Sequence, residues 1–331
     1  MAAHTPEAHK TSTKQADISI IIPSAPYRNA DEILANLKKI VPNNCRTEVM
    51  IIKGTWPPLQ RNLGIQKASG KYIFFFDDDI IIPEGCIQQA LQTFSNNAAV
   101  AVVGGPNLTP PGNTFLQHCF GEAHASLFTG LHTSVRYRKV KKLDHVNENH
   151  LITCNLAFKA EVLKANPFGT EIYANEENEL LGRLVRKGYK LAYNSEFFVY
   201  HHRRPTMRKY LKQIIAWGAG RTMHTLKRPE HLDLAFFVPL AFLGYLISLM
   251  LFHPIWYLIP LLLYGFLAIF FAIQISICHK NPLYLLAMPW IFLSTHLSYA
   301  VGLLMGFFQN FQKRQLPDPE TFQIQHHFLN Q

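Results

Sequence analysis

Three consecutive carboxylates, Asp77, Asp78 and Asp79, interrupt an apolar run that extends from Phe74-Phe75-Phe76 to Ile80-Ile81-Ile82-Pro83. Carboxylates this close repel one another unless a cation sits among them, and hard divalent cations favour oxygen ligands. Lys71 to Phe76 has the length and composition of a strand covered on both faces. The acidic cluster therefore falls at the carboxyl end of a strand, the edge at which open α/β sheets take ligands. An acidic turn without a ligand is the plainer reading of the tripeptide alone, so its neighbours must decide. A second acidic group, Glu176-Glu177-Asn178-Glu179, opens a helix that runs through Arg186. Carboxylates in a first helical turn also serve simply to complement the helix dipole.

The elements that must hold these groups alternate. Ile18 to Pro23 is a strand stopped by proline, and Asp31 to Ile40 has helical spacing, with Ile33, Leu34, Leu37 and Ile40 on one side and Asp31 as a cap. Glu48 to Ile52 is a second strand closed by Lys53-Gly54, and Gln60 to Ala68 is a short helix that turns through Ser69-Gly70 into the acidic strand. After it come a helix to about Phe94, a strand at Ala99 to Val103, and an irregular stretch from Asn107 to Gly130. Leu191 to Tyr200 is the last strand, ending in His201-His202. Strand and helix at this spacing predict βαβ units and a mostly parallel sheet flanked by helices. Arg136 to Lys142 packs five basic residues into seven; such a run is ordinarily a solvated loop, and otherwise meets an anionic substrate or headgroup.

The mean hydropathy of +0.03 conceals two unlike halves. From Leu234 to Phe308 the only charged residue is Lys280, and the stretch divides into apolar segments at 234–252, 255–277 and 283–308. Each approaches or exceeds the roughly 20 residues that a bilayer core requires of a helix, which predicts an all-α membrane segment of about three helices. Residues 1–17 read as a disordered polar tail without a secretory signal, and 309–331 as a second tail. Arg203, Arg204, Arg208, Lys209, Lys212, Arg221, Lys227 and Arg228 precede the first apolar segment, and basic residues mark the cytoplasmic end of a span. The expectation is an integral membrane protein whose larger domain, 18–228, is cytoplasmic. A helix at about 207–226, apolar and aromatic among cations, suits the membrane interface.

The net charge of +10 fits attraction to anionic membrane lipids. No compact nucleic-acid-binding motif accompanies it, so no nucleic-acid partner is expected. The five cysteines are scattered, with no pair at metal-ligand spacing, and read as reduced core residues.

Several segments together resemble the family 2 glycosyltransferases of the GT-A fold. Gln60-Arg61-Asn62-Leu63-Gly64, Ala68, Gly70 and Lys71-Tyr72-Ile73 resemble the family's stretch ahead of its metal motif, and Asp77-Asp78-Asp79 resembles the Asp-x-Asp motif itself. Asn155 to Lys159 resembles the acceptor-side segment, Glu176 to Leu180 with Arg183 the block that supplies the base, and Gln213 to Gly218 the closing Gln-x-x-x-Trp-like segment. The resemblance covers residues 18 to about 228.

What the resemblance implies is a membrane-bound inverting transfer of a sugar from a nucleotide-diphosphate sugar to a hydroxyl of a lipid-linked or polysaccharide acceptor. Mg²⁺ or Mn²⁺ would be held by Asp77 and Asp79, with one of the strand-end histidines, His201 or His202, completing the shell and His202 taken as the ligand. Asp78, Arg61, Pro23 and Lys53 would lie on the nucleotide side, Glu177 with Glu176 would provide the base, and Asn155 and Trp217 would face the acceptor. The sequence departs from the family at Lys53-Gly54, where an acidic residue is usual. It departs again at Ser24 to Asn29, at Glu177 in place of Asp, and at Ala216 in place of Arg. A catalytically degenerate binding or recruiting module, or a metal-dependent nucleotidyltransferase on a similar sheet, are the alternatives these departures leave open.

Overall fold

A computed structural model describes residues 16–171, 175–251, 254–309 and 316–330; most of the N-terminal tail lies outside them. In chain order the elements are β1 (Ile18–Ser24), α1 (Asp31–Ile40), β2 (Thr47–Lys53), α2 (Pro57–Lys67), β3 (Tyr72–Phe76), β4 (Ile80–Ile81) and α3 (Cys86–Asn96). They continue with β5 (Val100–Gly104), β6 (Asn107–Leu108), α4 (Phe115–Ala125), α5 (Leu127–Gly130), β7 (Asn155–Lys159) and α6 (Ala160–Ala165). Then come α7 (Glu176–Arg186), β8 (Lys190–Tyr193), β9 (Val199–His201) and α8 (Met207–Lys227). The apolar half forms α9 (Val238–Ser248), α10 (Ile259–His279) and α11 (Leu283–Gln309), and β10 (Gln323–Leu329) ends the chain.

Seven strands make one sheet in the order β10-β2-β1-β3-β7-β5-β8. β1 pairs in parallel with β2 and β3, as does β5 with β8, while β7 and β10 run antiparallel to their neighbours. The strands are apolar on both faces because both faces are covered. Ile20, Ile22, Phe74 and Phe76 point into one core with α1 and α3. Ile21, Ile73 and Phe75 point into the other, with Ile65 of α2, Leu163 of α6 and Leu180 of α7. This is the period-2 alternation of a strand doubled onto two hydrophobic layers. Gly64 is where α2 reaches the sheet: a Cβ there would stand 2.7 Å from Cγ2 of Ile21.

A small second sheet, β4-β9-β6, sets Ile80 opposite His201. It fixes the turn that follows the acidic cluster. A third core joins α4 and α8 to the apolar helices, with Phe120 and Tyr210 stacked at 4.0 Å among Met288, Ile291 and Phe292.

Two described helices are long and apolar enough to cross a membrane, Ile255–His279 and Leu283–Gln309, whereas the first apolar segment yields only the shorter stretch Leu234–Ser248. The C-terminal segment is not merely a tail. All seven residues of β10 pair with β2, from Gln323 beside Lys53 to Leu329 beside Thr47. His326 Nε2 also donates to Glu48 at 2.9 Å, the carboxylate that takes the Ser19 hydroxyl on its other oxygen. The edge of β2 presents unpaired backbone groups to whatever extended segment reaches it, and here the chain's own end does so.

Candidate active site

β3 delivers Asp77 to the edge of the sheet, and the tight turn into β4 brings Asp78 and Asp79 round it. Asp79 Oδ1 lies 3.1 Å from His201 Nε2, because β4 pairs with β9. Asp78 accepts from the Ser24 hydroxyl at 2.6 Å. Arg28, in the loop after β1, reaches both Asp78 at 2.5 Å and Asp79 at 2.9 Å. On the far side, Arg61 of α2 is buried between the two acidic groups: it donates to Glu176 and stands 4.0 Å from Asp77. The acidic cluster and the first turn of α7 thus face one cleft through one guanidinium.

α7 begins at Asn175, whose φ of 66° lies in the left-handed region that asparagine tolerates. That turn directs Glu176 and Glu177 inward, and both are buried. They have different surroundings. Glu176 is tied to Arg61, whereas Glu177 faces Arg136 at 3.8 Å and lines a cavity. Burial raises the Glu176 carboxyl to about 7, with the Arg61 charge opposing and the Glu177 charge adding to the rise. Burial also pushes Asp77 up, although 31% of its side chain still faces the cleft. At Asp79 burial acts the same way, but hydrogen bonds from His201 and Arg28 outweigh it and hold the carboxyl well below its usual range.

Asp77, His201 and Cys154 bring ligand atoms within 4.8 Å of one another. Burial drives the Cys154 thiol far up, so it stays protonated and is a poor partner for a hard ion. The oxygens of Asp77 and Asp79 with the imidazole of His201 are the donors that fit Mg²⁺ or Mn²⁺. Of the two strand-end histidines it is His201 that faces the cluster, whereas the ring of His202 bonds Asn113 at 2.7 Å and is exposed.

The other expected residues fall as follows. Pro23 and Lys53 end neighbouring parallel strands, half-buried at the same edge. Asn155 is fully buried, pairs with Phe76 ahead of the cluster and donates to the Phe197 carbonyl. Trp217 lines the same cavity as Glu177. This cavity, about 360 Å³, is lined by residues of α4, α5, α7, α8, α9 and α11, among them Trp217, Val238, Pro239 and Thr295. Arg28 and Arg136 were not singled out individually by the sequence. Arg28 sits in a loop that departs from the family pattern, and Arg136 sits in a basic run whose other members behave as surface charges, with Lys139 and Lys142 paired to Glu196 and Asp144.

A mixed sheet wrapped by helices, with an aspartate cluster at the strand end, defines the GT-A class of fold. Residues 20–167 match the family model described as Glycosyl transferase family 2. Among solved structures, a mannosyltransferase, PcManGT from Pyrobaculum calidifontis, in complex with GDP-Man and Mn²⁺, matches with 15% identity and a TM-score of 0.50 over 88% of each chain. S. aureus TarS 1-349 matches with 14% identity over 62% of this chain and 65% of that one, TM-score 0.40. That alignment spans just under two thirds of the TarS chain. Glucosyl-3-phosphoglycerate synthase from Mycobacterium tuberculosis, in complex with Mn²⁺, UDP-Glc and glycerol 3-phosphate, matches with 15% identity, covering 66% of this chain and 82% of that one, TM-score 0.42. No curated protein sequence matches the chain. At such identities the likeness is one of fold.

Proposed function

We propose that the protein is a metal-dependent, inverting glycosyltransferase that acts at a membrane, moving a sugar from a nucleotide-diphosphate sugar to a hydroxyl of a lipid-linked acceptor. The observation that carries this reading is the cavity: it is lined both by Glu177, next to the residue that Arg61 links to the acidic cluster, and by residues of the apolar helices. PcManGT, which shares the fold, is solved with GDP-Man and Mn²⁺, and the donor set here suits the same kind of ion.

In this reading Asp77, Asp79 and His201 hold the divalent ion, which supplies charge to stabilise a departing diphosphate. Arg28 and Ser24 already engage Asp78 and stand on the nucleotide side with Pro23 and Lys53. Glu177 takes the proton of the acceptor hydroxyl. A positioned base of this kind contributes about 10²–10⁴-fold. Arg136 orients Glu177, and Arg61 with Glu176 braces the floor between the two halves of the site. Attack from the Glu177 side, opposite the diphosphate, inverts the anomeric centre and needs no protein nucleophile.

The test is nucleoside diphosphate release by the purified full chain with Mn²⁺ and a panel of nucleotide sugars. Asp79→Asn and Glu177→Gln should each lower turnover at least 100-fold, the first with loss of Mn²⁺-dependent nucleotide binding and the second without it. Unchanged turnover in both variants would overturn the assignment. Release of pyrophosphate would instead favour nucleotidyl transfer.

A further inference from the structure

The end of β2 is covered by a residue that arrives from the other end of the sequence. The half-buried Phe322 ring packs on Gly54, directly after β2: a Cβ on that glycine would stand 2.8 Å from Phe322 Cδ1 and 3.1 Å from the Gln60 amide carbon. Glycine at 54 leaves room for both. The register of β10 puts the ring there. Gln323 pairs with Lys53, His326 donates to Glu48, and Asn330 donates to the Pro42 carbonyl at 3.0 Å, so the strand is fixed along its length. Ahead of Phe322, a 3₁₀ turn at Pro319–Thr321 is capped by the Asp318 carboxylate, which accepts from the Glu320 N–H. The Phe322 N–H then closes the turn on the Pro319 carbonyl.

From Gly54 a short chain of hydrogen bonds leads to the acidic cluster. The Gly54 N–H donates to the Ser24 carbonyl at 2.9 Å, and the Gln60 side chain donates to the same carbonyl at 2.9 Å. Gln60 is buried, and its amide nitrogen also donates to the Ile52 carbonyl, so one side chain clamps the ends of β1 and β2. The Ser24 hydroxyl in turn donates to Asp78 at 2.6 Å. Such bonds hold their atoms in place only while water does not compete for the same carbonyls, and a ring seated on Gly54 keeps water away.

We propose that Phe322 is a positioning residue for the nucleotide side of the cleft: seated on Gly54, it preserves both hydrogen bonds on the Ser24 carbonyl and so holds the Ser24 hydroxyl on Asp78. This rests on the reading above that Ser24 and Asp78 stand on that side. The segment that follows the apolar helices thus contributes to the site itself and does not only complete the sheet.

Calorimetry, steady-state kinetics and hydrogen exchange on the detergent-solubilised full chain test it, with UDP and GDP as probes. Phe322→Ala should bind whichever nucleotide the wild type takes with Mn²⁺ about tenfold less tightly, the loss expected of one hydrogen bond to a charged group. The donor KM should rise by a similar factor while kcat stays within about threefold, the pattern of lost binding and not of lost chemistry. Phe322→Leu should recover most of the affinity. Leu329→Ala, buried at the opposite end of β10 beside Thr47, should lower the melting temperature and leave nucleotide affinity unchanged. Without any nucleotide, the Gly54 amide should exchange at least about tenfold faster in Phe322→Ala than in the wild type, and no faster in Leu329→Ala. Unchanged exchange at Gly54 in Phe322→Ala, or an equal loss of nucleotide affinity in Leu329→Ala, would overturn the proposal. Should Phe322→Ala fail to fold, the wild type decides: saturating nucleotide with Mn²⁺ should slow exchange at Gly54 and across 319–324 but not across 327–329, and the absence of any slowing there would overturn it. A wild type that binds neither nucleotide would sink the glycosyltransferase reading, while the ligand-free exchange at Gly54 would still decide what Phe322 holds.

Discussion

Arg28 is already bonded to Asp78 and to Asp79, the latter one of the two carboxylates that would hold a divalent ion. Its side chain is about one-third exposed and sits on a loop, so it can exchange those contacts for a diphosphate when the ion arrives. Removing it should therefore have opposite effects on two affinities. In Arg28→Ala, calorimetry should find Mn²⁺ alone bound several-fold more tightly, because a competing cation is gone. A nucleoside diphosphate with Mn²⁺ should bind about tenfold less tightly, because a donor is gone. No change in either affinity would show that Arg28 is a bystander. Glu176 gives a second residue-scale prediction. Its carboxyl is raised to about 7 in the fold, above its ordinary value of 4.5. The folded state then holds the proton more strongly than the unfolded chain does, so this contribution to stability is fully present below pH 4.5 and is lost as pH rises through 7. Denaturant titrations should show Glu176→Gln lacking that decline, a difference of order 3 kcal/mol at most. At this scale the sequence distinguished acids from their neighbours well but could not orient them. His201 and His202 are equivalent as residue types, and only the pairing of β4 with β9 turns the first toward Asp79.

Between elements, the contact that ties the catalytic half to the apolar half is that of α8 with α11. The two helices touch at backbone distance: a Cβ on Gly302 would lie 2.2 Å from the Ile215 carbonyl oxygen, and one on Gly218 would lie 2.4 Å from that of Tyr299. The Tyr210 hydroxyl bonds Thr295, and the Thr222 hydroxyl donates to the Leu303 carbonyl. Gly302→Leu must push these helices apart. Overpacking of this kind costs about 1–3 kcal/mol, and more where backbone is the obstacle. The melting temperature of the purified protein should fall by several degrees, and Trp217, on the α8 face of the cavity, should become more accessible to a fluorescence quencher. An unchanged melting curve would mean that the helices are not held this way. Long periodic runs made α8, α10 and α11 legible in the sequence, as did the strands with continuous apolar residues. β10 was not, for a physical reason: Gln323-Ile324-Gln325-His326-His327-Phe328-Leu329 has little apolar alternation, and its stability comes from the ladder with β2 and from Glu48, almost 280 residues away in the chain. The antiparallel insertion of β7 was equally hidden, since spacing alone does not reveal which way a strand enters a sheet.

At the scale of the whole molecule, the position of β10 restricts how the chain can meet a bilayer. The chain leaves the catalytic domain at α8 and returns to the same sheet at Gln323, so residues between them cross a membrane an even number of times. The packing of α11 narrows this further. Tyr284 near its start lies 4.9 Å from Phe115 of α4, and Gly306 near its end lies against Ala219 of α8. A helix that crosses carries its far end about 30 Å away from a domain on one side, whereas both ends of α11 touch that domain. α8 runs alongside it in the same direction, and exposed Lys209 and Lys212 flank Tyr210, which meets Thr295 at mid-helix. Lysines at that depth in hydrocarbon would cost about 2.5–3.5 kcal/mol each. The outward residues of the hairpin, such as Ile259, Leu262, Phe266, Leu286 and Trp290, are exposed and apolar. If the hairpin meets a bilayer, the arrangement that satisfies all of these contacts would bed α10 and α11 in one leaflet, with basic residues at the headgroups and both ends of the hairpin on the side of the sheet. In sealed vesicles, a variant lacking Cys45 and Cys278 and carrying a single new cysteine at Ser95, Lys280 or Gln325 should react with a membrane-impermeant maleimide from one and the same side at all three positions. Protection of the Lys280 position while Ser95 reacts would show instead that the hairpin crosses the bilayer.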